Sequence, residues 1–164
     1  MITHDYEQNR SWSDQFIPQI KNIVGSHLLQ AAPDVLDMRQ ATDLLMLDGK
    51  DLRIAARVRR PGYADRFPHQ FTIRSAIPSG GKTELAKIVE GHGDWMFYAH
   101  SNEFGGLQRW WLIDLRAFRA ALIRDRFGES KVRWGQQSNP DGTQFAWFDV
   151  RSFPTEPRMI IAAG

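Results

Sequence analysis

The sequence predicts a mixed α/β fold in which a single β-sheet is flanked by helices, and three observations carry that reading. Apolar residues recur at helical spacing over Phe16, Ile20, Ile23, Val24 and Leu28, and again between Leu115 and Arg126. Short segments alternate apolar and polar residues, as Phe71 and Ile73 do within QFTIRS. Turn formers such as Asp48-Gly49, Pro61-Gly62 and Gly91 punctuate these segments at short intervals.

Taken in order, Ser11 to about Leu29 reads as the first helix, with Ser11 or Ser13 as its cap and Pro18 within its first turns. Ala32-Pro33-Asp34 breaks that pattern. Residues 44 to 47 are a short apolar run, Asp48-Gly49 supplies a two-residue turn, and Leu52 to Arg60 returns as a second strand, so a hairpin is expected over 43–60. Gln70 to Ser75 gives a third strand, AIPSGG a loop, and Lys82 to Glu90 a short helix ended by Gly91. Asp94 to His100 and Leu107 to Ile113 are further strands, Leu115 to Arg126 a long helix closed by Gly128, and residues 143 to 150 a last strand after the polar loop QQSNPDG. The tail PRMIIAAG adds a short edge piece. No repeat, low-complexity block or long linker divides the chain, so one domain over residues 1–164 is expected.

Composition narrows the chemistry. Zero cysteines exclude disulfides, thiolate zinc sites and cysteine nucleophiles, and they fit a reducing, cytoplasmic setting. The polar start MITHDYEQNRSWSDQF has no apolar signal core, and no stretch approaches the roughly 18 apolar residues of a membrane span, so no membrane partner is expected. Histidines 4, 27, 69, 92 and 100 show no HExxH spacing and no GxSxG marks a serine hydrolase. The basic residues are 16 arginines against 5 lysines. Arginine's planar fork suits phosphate or carboxylate, although codon bias in a GC-rich genome produces the same excess. Clustering therefore carries more weight than number: Arg53, Arg57, Arg59 and Arg60 form one group, and Arg116, Arg119, Arg124 and Arg126 form another at helical spacing that reads as a solvated face.

Folding the hairpin brings Asp43, at the start of its first strand, near the arginines that end the second, and this suggests a phosphodiester site. Arg74 and the loop residue Lys82 fall near the same strand ends, so Arg59, Arg60, Arg74 and Lys82 are candidate phosphate contacts. The bland alternatives stay open: an acid at a strand end pairs with a neighbouring arginine, and alternate arginines form one solvated face opposite Ile54, Ala56 and Val58. Trp95, Trp110, Trp111 and Trp147 lie on expected strands and are assigned to the core.

The element order, with an acid opening one hairpin strand and charge on the next, resembles the PD-(D/E)XK nuclease superfamily over roughly residues 11 to 115. The resemblance implies a restriction-endonuclease-like αβββαβ core and a Mg²⁺-dependent endonuclease acting on DNA or RNA. Asp43 matches the first acid of that family. Ala55-Ala56-Arg57 is the nearest counterpart of its acid-x-lysine triplet, with alanine in place of the acid and Arg57 in place of the lysine. On this reading Asp37, Asp43 and Glu84 are the candidate metal ligands and Asp43, Arg57 and Glu84 the catalytic set; a lone carboxylate holds Mg²⁺ weakly. The competing class is a non-catalytic module that binds nucleic acid or an acidic protein partner through the arginine surface, with a homodimer also compatible. Ser79-Gly80-Gly81-Lys82-Thr83 resembles the end of a P-loop, but the first glycine of that pattern falls at Ala76 and Arg74 occupies the preceding strand.

Overall fold

The computed structural model describes residues 8, 10–30, 54–76 and 79–164. Asp37, Asp43, the apolar run 44–47 and the Asp48-Gly49 turn lie outside the described residues, as does Arg53.

Helical residues 10–14 and a turn lead into α1 (Ile17–Gln30), where Pro18 occupies the first turn and forfeits no intrahelical bond. The chain continues through β1 (Ile54–Arg59), the one-turn helix α2 (Tyr63–Arg66), β2 (Gln70–Ala76), α3 (Glu84–Val89), β3 (Trp95–Ser101) and β4 (Leu107–Asp114). Then come α4 (Leu115–Arg126), β5 (Trp134–Ser138), β6 (Gln144–Asp149), a 3₁₀ turn (Val150–Ser152) and β7 (Ile160–Ala163). The fold is mixed α/β. It has two sheets rather than the single sheet expected: a four-stranded sheet A ordered β1-β3-β4-β7 and a three-stranded sheet B ordered β2-β6-β5.

The reason for the split lies in β2 and β5. Phe71 and Ile73 of β2 bury completely, and their partners Phe148 and Ala146 stand on β6, so β2 pairs antiparallel with β6 in register Phe71↔Phe148. The segment read as the polar loop QQSNPDG is strand in its first half, pairing Gln137 with Phe145, and hairpin turn in its second, where Gly142 adopts φ 84. Polar β5 forms because its backbone completes an edge ladder, not because it has an apolar face. Strand β7 seals the other end of sheet A beside β4, the place expected of the tail. Within sheet A, β1 runs parallel to β3.

Two apolar layers sandwich sheet A. On one side Phe16, in the turn before α1, and Ile20 and Val24 of α1 pack on Phe97, Ala99 and Leu112, joined by Ile54 and Val58 of β1. On the other, Met96, Tyr98, Trp111 and Ile113 meet α4 through Phe118 and Ala121, and meet sheet B through Phe71 and Phe148. Phe71 is the hub, with ring centroids 5.8 Å from Phe118, 5.3 Å from Phe148 and 6.0 Å from Phe153. Asp114 begins α4, its carboxylate accepting from the backbone N–H groups of Arg116 at 2.9 Å and Ala117 at 3.4 Å. Among the described residues no helix is long and apolar enough to cross a membrane.

Asp149 ends β6 and fastens sheet B to the segment that follows. Its Oδ1 accepts from the Arg151 backbone N–H at 2.9 Å and its Oδ2 from the Arg151 guanidinium at 2.9 Å, and Arg133 binds Oδ2 as well. Arg151, helped by Arg133, holds the buried carboxyl down from 3.8 to about 2. A depressed folded-state value stabilises the protein above the unfolded value, and that contribution disappears as pH falls from 3.8 through about 2. Asp149→Asn should therefore cost about 2 kcal/mol in urea denaturation at pH 7. The gap between variant and parent should close as the pH approaches 2; an equal gap at both ends would contradict the assignment.

Candidate anion-binding cleft

Period-two alternation sets the site. On β1, Arg57 and Arg59 share a face, and the parallel register sets them beside Tyr98 and His100 of β3. On β2, Phe71 and Ile73 point into the core while Gln70, Thr72 and Arg74 take the opposite face. On β6, Ala146 and Phe148 enter the core while Phe145 and Trp147 face outward. These outward sets meet in a cleft of about 300 Å³ between sheet A and sheet B, completed by Tyr63, Arg66 and Phe67 from α2 and by the β5–β6 hairpin.

Four arginines, Arg57, Arg59, Arg66 and Arg74, line this cleft, and no carboxylate stands among its described lining residues. Two acids flank it. Glu84 of α3 accepts from Arg57 at 3.5 Å, and Asp141 of the β5–β6 turn lies in the field of Arg74. The other two guanidinium groups rest on aromatic faces: Arg59 is 4.1 Å from the Tyr63 ring centroid and Arg66 5.3 Å from that of Phe67. Arg59 also donates to Thr72 Oγ1 at 3.4 Å, and that hydroxyl lies 3.2 Å from the Tyr98 hydroxyl. Burial draws Arg57 below its ordinary value, Glu84 opposes the shift, and Arg59 and Arg74 add to it. Like charges are thus held close enough to feel one another, an arrangement that an anion relieves.

No family model, curated protein or solved structure matches the chain.

Of the residues singled out from sequence, Arg57, Arg59 and Arg74 line the cleft together. Lys82 stands on a neighbouring cavity of about 410 Å³ that also includes Arg57, Arg74 and Glu84, and its ammonium binds Glu90 at 2.7 Å. Arg60 lies elsewhere, its guanidinium 4.5 Å from the ring centroid of Trp12 at the α1 side of sheet A. Thr83 caps the six-residue α3, its hydroxyl accepting from the Ala86 N–H at 3.3 Å. Asp37 and Asp43 fall outside the described residues, and among those described no three histidine or carboxylate side chains converge as metal ligands. Glu84 faces the Arg57 guanidinium.

Several cleft residues escaped the sequence reading. Trp147 was assigned to the core, yet it lines the cleft, seated on β5 at Gly135, where an added Cβ would come within 2.7 Å of the indole. His100 belonged to no motif. It is only 1 % exposed, and the sheet register places it in a row between Arg59 of β1 and Arg109 of β4. Its Nδ1 has no hydrogen-bond partner among the described residues, and the ring meets Tyr98 and Trp111 edge-on. The signal available in sequence was a lone histidine next to the end of a largely apolar strand, WMFYAHS.

Burial first, and then the charges of Arg59 and Arg109, lower His100 from 6.5 to about 4, so it is neutral at pH 7. Because the folded-state value is depressed, its contribution to stability is intact above 6.5 and is lost as pH falls through about 4. In proton NMR the His100 imidazole should titrate near pH 4; a midpoint near 6.5 would contradict the burial described.

Proposed function

We propose that the chain binds nucleic acid through this cleft, with the arginines taking the phosphodiester backbone. The observation that carries the proposal is four lining arginines with no lining carboxylate among the described residues. Guanidinium groups form charge-assisted forks with phosphate oxygens, and closely held like charges gain most when an anion arrives. Stacking on Tyr63 and Phe67 orients two of the forks, and neither is paired with a carboxylate among the described residues. Glu84 tempers Arg57 at one side, which keeps a cation in place before any ligand is bound.

Metal-dependent cleavage is the second reading, and the position of Glu84 favours it, since this carboxylate stands beside Arg57, the counterpart of the PD-(D/E)XK lysine, on a cavity shared with Arg74. The αβββαβ nuclease core belongs to that reading, together with Asp37 and Asp43 as the remaining acids.

Both readings are tested on DNA and RNA oligonucleotides across a range of salt. Arg66→Ala combined with Arg74→Ala removes two exposed cleft cations. The pair should weaken binding by about tenfold or more and reduce the slope of log affinity against log salt by about 1 to 2. Unchanged affinity and slope would overturn the nucleic-acid proposal and turn attention to an acidic protein partner. Parallel incubations with Mg²⁺ or EDTA report on cleavage: Mg²⁺-dependent cutting lost in Asp43→Asn would favour the nuclease, whereas binding without cutting favours the non-catalytic module.

A further inference from the structure

The cleft carries more than positive charge. Beside the arginines stand the outward aromatic rings of Phe145 and Trp147 on β6, and the indole of Trp147 is seated where Gly135 leaves no Cβ in its way. Around these rings lie the amide side chains of Gln70, Gln137 and Gln144, which make no side-chain hydrogen bond among the described residues. At the buried end of the same lining, His100 keeps an Nδ1 without a partner among the described residues. Each feature matches a different part of one ligand. Guanidinium groups suit a phosphate, an aromatic wall suits the face of a base, and amides, which both donate and accept, suit a base edge that does the same.

Size decides how much of a nucleic acid can enter. About 300 Å³ lies at the small end of ligand cavities, enough for one nucleotide and far too little for a duplex. A base inside a duplex also has both faces stacked and its pairing edge occupied, so neither the indole nor the amides could reach it. We infer that the cleft receives one unpaired nucleoside monophosphate unit, its phosphate on the arginines and its base on the Phe145 and Trp147 wall with the glutamine amides at its edge. The unit arrives either as part of a single strand or as a free nucleotide. This rests on the cleft being the phosphate site of the preceding proposal, and it implies that single strands bind better than duplexes.

The test measures fluorescence anisotropy of a labelled oligonucleotide, as a single strand and annealed to its complement, with adenosine 5′-monophosphate and inorganic phosphate as competitors. The single strand should bind at least about tenfold tighter than the duplex, and the mononucleotide should compete at lower concentration than phosphate. Trp147→Leu should weaken single-strand binding by about tenfold, the loss expected for one stacked base. Since Trp147 packs on β5, Gln137→Ala, at an exposed strand position, serves as a second variant that spares the packing and should alter preference among oligomers of different base. Duplex bound as well as single strand, phosphate competing as well as the mononucleotide, or both variants behaving as the parent would overturn this inference and leave the arginine-dependent binding intact. Binding of adenosine 5′-monophosphate in a direct calorimetric titration, without binding of any oligonucleotide, would support the inference with a free nucleotide as the source and overturn the nucleic-acid reading. Absence of all binding would overturn both.

Discussion

The two faces of β2 govern the molecule. Phe71 and Ile73 must be buried, and their contacts with Phe118, Phe148 and Tyr98 join sheet A, sheet B and α4 into one core. Alternation along the strand then leaves Gln70, Thr72 and Arg74 no choice of side. A one-residue slip would expose the two apolar side chains and bury Arg74, at a cost no local interaction offsets. The hydrophobic core therefore sets the register of the cleft, and Thr72, between buried Phe71 and Ile73, ties the two sheets by meeting Arg59 and Tyr98.

Charge in the cleft is arranged by the same alternation in sheet A. Arg57 and Arg59 lie beside Tyr98 and His100, in line with the apolar row that includes Met96. The buried row thus changes character along β3, from core residues at one end to a neutral histidine between Arg59 and Arg109 at the other. Holding His100 uncharged avoids adding a further cation to an already crowded region. Aromatic faces, a hydroxyl and one flanking carboxylate support the guanidinium groups without neutralising them all.

Much of this was legible in the sequence where structure is local. Residues Leu115–Arg126 form α4 as its spacing and Gly128 indicated, and β2, β3, β4 and β6 fall within a residue or so of their patterned segments. What escaped was set by partners distant in sequence. Nothing in Trp134–Ser138 alternates, because β5 is held through its backbone to β6, and the choice of β6 rather than β1 as the neighbour of β2 creates the second sheet. In the site, Arg57, Arg59 and Arg74 could be singled out from strand ends and charge, whereas Trp147 read as core because an outward tryptophan on a strand differs from an inward one only through what packs on it. Gly135 provides that seat, and its role emerges only when β5 and β6 are paired.

The central claim is that the cleft arginines form an anion site, and thermal unfolding tests it most directly. The midpoint is measured in millimolar inorganic phosphate and in sodium chloride of equal ionic strength, for the parent and for the Arg66→Ala, Arg74→Ala pair. A ligand that binds only the folded state raises the midpoint, so phosphate should stabilise the parent by about a few degrees over chloride and stabilise the pair distinctly less. Equal stabilisation of both proteins, or none in the parent, would contradict the account.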